Sequence, residues 1–145
     1  MRIAFCVAED INLGAGYVMS YLRKEGHDVK LFFDSLQFQR GYSRNKILAS
    51  LFDTANCIIK DIKKYNPDAV CFSCVTATYQ RGMLLARKIK QEINCKIYFG
   101  GIHATLVPEQ VKKDLPFAEV IIGDGIEYFG GKFEPDRLWP AREIF

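Results

Sequence analysis

Small and hydroxyl-bearing residues recur in four short stretches: Leu13-Gly14-Ala15-Gly16, Ser73 through Thr78 with Val75 and Thr76, Gly100-Gly101-Ile102-His103-Ala104-Thr105, and Gly123-Asp124-Gly125. Glycine lets a backbone approach a ligand closely, and hydroxyls and main-chain N–H groups supply hydrogen bonds once it is there. Bond-making chemistry is harder to find. The acids near these stretches are Glu9, Asp10, Asp34, Asp124 and Glu127, and no serine or cysteine nucleophile pairs with a base among them, which argues against a hydrolase. A phosphoacceptor site would need a carboxylate ending the third apolar run, where Ser73 stands.

Gly14-Ala15-Gly16 reads equally well as a helix start or a ligand contact. It is not a dinucleotide fingerprint, because Met19 occupies the place of the third glycine, and the chain has no phosphate loop ending in Gly-Lys-Ser/Thr. Cys71-Phe72-Ser73-Cys74 has redox or zinc spacing, yet in a strand positions three apart point to opposite faces, so both thiols read as packing. His27 follows a helix-stopping glycine. His103 lies among the small residues of the third stretch, where it either hydrogen-bonds its own loop or meets a ligand.

The elements that must position these stretches follow from periodicity. Residues 2–8 form a nearly continuous apolar run, as a strand buried on both faces does. Residues 14–25 carry Tyr17, Val18, Tyr21 and Leu22 as a helical stripe stopped by Gly26, and residues 28–33 make a second strand. Residues 34–45 read as a long loop. An apolar set from Ile47 to Ile62 predicts one long amphipathic helix over residues 46–65. A third strand follows at 69–73, then a helix at 79–93 with Met83, Leu84, Ala86 and Ile89 inward, and a fourth strand at 96–99. A polar corner leads to a short helix opened by Pro108 and ending at Leu115, before a fifth strand at 119–122.

Strands alternating with helices imply right-handed crossovers and a doubly wound, flavodoxin- or Rossmann-like α/β fold, a five-stranded parallel sheet in the order 2-1-3-4-5. Ligands in such sheets sit outside the carboxyl ends of the strands. All four stretches fall there, after the first, third, fourth and fifth strands.

The 145 residues suffice for one core; 49% are hydrophobic and 26% charged, and the formal charge of +3 is spread over several helices rather than gathered in a stripe. Nucleic acid is therefore not expected as a partner. No apolar run approaches a bilayer span, so no membrane association and a cytoplasmic location are expected. The odd set Cys6, Cys57, Cys71, Cys74 and Cys95 lies in or beside apolar segments and reads as reduced, packed thiols.

In order along the chain, Leu13-Gly14, Leu22-Arg23-Lys24-Glu25-Gly26-His27-Asp28-Val29, Pro67-Asp68-Ala69-Val70, Ser73 with Thr76, Gly100 through Thr105, Pro108-Glu109 and Ile122-Gly123-Asp124-Gly125-Ile126-Glu127 form a series. That series resembles the cobalamin-binding domain that precedes the catalytic core in cobalamin-dependent radical SAM enzymes. The resemblance implies that residues 1–127 bind cobalamin, and that residues 128–145, with Leu138-Trp139-Pro140-Ala141-Arg142, are a linker toward a radical SAM core absent from this chain. It implies corrinoid contacts at Leu13, Gly14 and Tyr17, and nucleotide-tail contacts at Ser73, Val75 and Thr76. Gly100 and Gly101 would let the tail pass, so that a side chain there would block binding and largely spare the fold. Gly123, Asp124 and Gly125 would close the pocket.

Two departures stand out. Asp10 is followed by Asn12, where related cobalamin proteins place a cobalt-ligating histidine, and His103 is expected to contact its loop or the tail rather than the cobalt. The Cys-x-x-x-Cys-x-x-Cys for an iron-sulfur cluster is also absent, Pro67 standing where the first cysteine belongs. S-adenosylmethionine and the cluster would belong to the missing core, and this chain would present the corrinoid to it, for methyl transfer. Two other readings remain beside this one: a flavodoxin-like domain for FMN or a nucleotide, and a docking scaffold without ligand.

Overall fold

The computed structural model describes residues 1–8, 12–34, 55–134 and 140. In chain order the elements are β1 (Arg2–Ala8), α1 (Leu13–Lys24), β2 (Asp28–Asp34), α2 (Ala55–Tyr65), β3 (Ala69–Ser73), α3 (Tyr79–Glu92), β4 (Lys96–Gly100), α4 (Ile102–Leu106), α5 (Pro108–Asp114), β5 (Glu119–Val120) and α6 (Gly125–Tyr128). The strands make one five-stranded sheet, β2-β1-β3-β4-β5, with every pair parallel. The expected class and strand order are those observed.

The apolar run of β1 divides by parity, as a strand covered on both faces must. Ile3, Phe5 and Val7 join Ala15, Met19 and Leu22 of α1 on one face, with Val29 and Cys71. Ala4 and Cys6 join the larger cluster on the other face, where α2 contributes Ile58, Ile59 and Ile62 and α3 contributes Leu85, Ala86 and Ile89. Val70 and Phe72 of β3, with Ile97 and Phe99 of β4, fill its centre, the Phe72 and Phe99 rings stacked at 5.3 Å.

Several expectations change in detail. Leu84 is 53% exposed; Leu85 takes the inward position and Met83 packs only at the margin. The polar corner after β4 is a helix, α4, and α5 follows it directly. Ala104, its fully buried residue, anchors α4 through one small contact, too short a pattern to show periodicity. β5 is only two residues long, and the aperiodic stretch past Gly125 begins with a helical turn capped by Asp124, whose carboxylate accepts from the Ile126 N–H at 2.7 Å. Cys57 is exposed, whereas Cys6, Cys71, Cys74 and Cys95 are buried. The loop expected over 34–45 begins with Asp34 as the last residue of β2; its remainder and the first part of the long helix lie outside the described residues. Of the expected linker, residues 135–139 and 141–145 also lie outside them.

Candidate functional site at the carboxyl edge

A cavity of about 710 Å³ opens at the carboxyl ends of β1, β3, β4 and β5, within the size range of ligand pockets. It is lined by Leu13, Gly14 and Tyr17 of α1, by Ser73 and Val75 after β3, by Gly100 and Gly101, and by Gly123, Asp124 and Gly125. Ten of the twelve expected site residues thus meet in one place. Thr76 and His103 do not line it. They meet each other instead, His103 Nδ1 lying 3.1 Å from Thr76 Oγ1.

The first wall is set by Asn12, the N-cap of α1. Its Oδ1 accepts from the Ala15 N–H at 2.9 Å, and its Nδ2 donates to Ser73 Oγ at 2.8 Å, tying the start of α1 to the end of β3. The β3 and β4 loops are laced together by main chain: Cys74 N–H donates to Gly100 O at 3.0 Å and His103 N–H to Cys74 O at 3.2 Å. The His103 ring lies against Tyr79 at 4.1 Å, and its Nε2 is buried without a hydrogen-bond partner among the described residues. Thr105 joins the last loop to these, donating to Gly101 O at 3.1 Å and accepting from Gly123 N–H at 3.0 Å.

Gly101 is required by this lacing, and Gly100 fits it closely. Gly101 has φ +94°, a left-handed conformation that strains any other residue, and a Cβ there would lie 2.7 Å from both the N and the O of Cys74. A Cβ at Gly100 would stand 3.3 Å from that of Ile121. The expectation that a side chain at Gly101 would obstruct only the ligand and spare the fold is therefore corrected: it would collide with the protein first.

Cys71 and Cys74 face opposite sides of the sheet, as their spacing in an extended segment requires, and belong to different core clusters. Burial pushes each thiol up to about 12, so both stay neutral at physiological pH and offer no thiolate to a metal or a redox partner. Among the described residues no cluster of His, Cys, Asp and Glu could hold a metal ion. Nor is any helix among them long and apolar enough to cross a membrane.

Sequence reasoning did not assign Asn12, Val18, Thr105, Phe129 and Phe133 to the cavity, which they line. The Phe133 ring meets Tyr17 edge-on at 5.0 Å. Its only signal in the sequence was an aromatic residue in a polar, aperiodic stretch.

The cavity suits a bulky amphipathic ligand such as cobalamin. Aromatic and aliphatic side chains form most of its wall, the glycine loops expose backbone, and Ser73 places a hydroxyl-bearing residue on it.

Residues 6–130 match the family model described as the B12 binding domain. The chain is 31% identical over 135 residues to an uncharacterized methyltransferase, PH0819, of Pyrococcus horikoshii, a match that spans 91% of this chain and 26% of that protein. Its fold superposes, with a TM-score of 0.64 and 20% identity, on the cobalamin-dependent S-adenosylmethionine radical enzyme OxsB, solved with aqua-cobalamin bound, over 85% of this chain and 17% of that one. The chain therefore spans about a quarter or less of each of these two proteins.

Proposed function

The chain belongs to the B12-binding domain family, with cobalamin as its cofactor, and from that premise we propose that it presents the corrinoid to a radical SAM catalytic domain for methyl transfer. The observation that carries this reading is the convergence of the loops after β1, β3, β4 and β5 on one open cavity inside the matched span. The relative named as a methyltransferase and the structural likeness to a radical enzyme, each far longer than this chain, support the partner and the reaction. The partner is either part of the same protein or a separate chain.

When bound, cobalamin supplies a cobalt centre able to carry and release a methyl group; the protein supplies binding, orientation and shielding. Leu13, Gly14 and Tyr17 would flank the corrin, while Ser73 and Val75 would hold the nucleotide tail. Gly101 lets the β4 loop lie tight against Cys74, where a side chain would force the two loops of the wall apart. Thr76 and His103 serve by bracing the β3 and β4 loops against each other. Gly123, Asp124 and Gly125, held through Thr105, close the far wall.

A domain that presents its cofactor must leave one face of it open. Hydroxocobalamin should co-elute with the protein on gel filtration, and added cyanide should shift the bound corrinoid spectrum without releasing it. A bound corrinoid inert to cyanide would contradict presentation, and absence of co-elution would contradict binding.

A further inference from the structure

Asn12 carries an oxygen and a nitrogen at equivalent positions of one planar amide, and the fold decides which goes where. The start of α1 leaves backbone N–H groups without intrahelical partners, and only an oxygen can answer the Ala15 N–H, so Oδ1 must face the helix. Nδ2 is then turned toward Ser73 and donates to its Oγ. A hydroxyl that accepts from one side keeps its own proton to give. Among the described residues that proton meets no acceptor, and Ser73 lines the cavity.

We infer that Asn12 is a positioning residue that fixes Ser73 as a hydrogen-bond donor, so that the site selects a group of cobalamin that accepts a hydrogen bond and bears no proton. A carbonyl, a phosphate oxygen or an unprotonated ring nitrogen meets that description. The chain of polarity runs from the dipolar end of α1, through one amide, to the ligand. This inference rests on the cobalamin reading above and adds to it the sense of one hydrogen bond.

Asn12→Asp tests it, because aspartate caps a helix as well as asparagine and has the same shape but presents an oxygen to Ser73. The serine must then donate to that oxygen, and its proton is withdrawn from the cavity. Hydroxocobalamin affinity, followed by visible absorbance, should fall about tenfold in Asn12→Asp and about fivefold in Ser73→Ala. Asn12→Ser, also a sound cap but too short to reach Ser73, should weaken binding less than Asn12→Asp, because the Ser73 proton stays available. In a Ser73→Ala background, Asn12→Asp should have no further effect. Thermal unfolding of each variant without ligand reports any loss of fold separately.

Unchanged affinity in Asn12→Asp would overturn the inference. So would an Asn12→Asp effect that persists without the serine, which marks plain charge repulsion, or a larger loss in Asn12→Ser, which marks packing. Repeating the comparison with cobinamide, which keeps the corrin amides but lacks the nucleotide, locates the acceptor: an effect retained there places it on the corrin, and an effect lost places it on the tail. Failure of the natural chain to bind either corrinoid would instead remove the cobalamin reading itself.

Discussion

At the scale of single residues, the β4 loop shows how a cavity wall and a folding constraint can share one position. Gly101 combines φ +94° with a Cβ direction blocked by the Cys74 backbone at 2.7 Å. Gly101→Val should therefore lower stability by about 3 kcal/mol or more, from backbone strain and overpacking together. Urea or thermal unfolding of the ligand-free protein checks this; an unchanged midpoint with lost cobalamin binding would restore the simpler view of a blocked ligand path. The sequence marked the glycine pair as a candidate site feature, but the packing that demands Gly101 was not legible there. What surrounds a missing Cβ depends on which loop lies opposite, and no local pattern encodes that. Asn12 illustrates the same limit: its absence as a histidine was readable, whereas its bond to Ser73, 61 residues away, needed the fold.

At the scale of elements, the sheet edge is held from outside the cavity by a buried ion pair. Arg81 in the first turn of α3 donates from Nε to Asp34 Oδ2 at 2.7 Å, and its Nη2 reaches Oδ1 at 3.3 Å, joining the end of β2 to α3 across the sheet face. The Asp34 side chain is 2% exposed and that of Arg81 11%. Arg81→Ala takes two charge-assisted hydrogen bonds from a buried carboxylate, so it should cost about 1.5 to 3 kcal/mol. Chemical denaturation measures that loss; a cost below about 1 kcal/mol would mean that solvent or a neighbour readily replaces the guanidinium. The strands and main helices were legible because hydrophobic periodicity reports burial directly, and the three-residue spacing of Cys71 and Cys74 put them on opposite faces, as observed. The elements missed were those without room for a period, α4 with five residues and α6 with four, while β5 was expected but at twice its observed length.

At the scale of the whole molecule, the parallel order β2-β1-β3-β4-β5 sends every strand's carboxyl end to one edge, so sequence stretches far apart become one wall. The family match over residues 6–130 and the fold shared with a cobalamin-bound enzyme identify cobalamin as the cofactor, and that wall is where we propose it binds. The most direct test of this placement is amide hydrogen exchange with and without hydroxocobalamin. Binding at the carboxyl edge should slow exchange over residues 12–18, 73–76, 100–105 and 123–126, and leave the opposite end of the sheet, around Asn94 and Lys96, unchanged. Slowing confined to residues 94–97, or none at the carboxyl edge with cobalamin bound, would contradict the account.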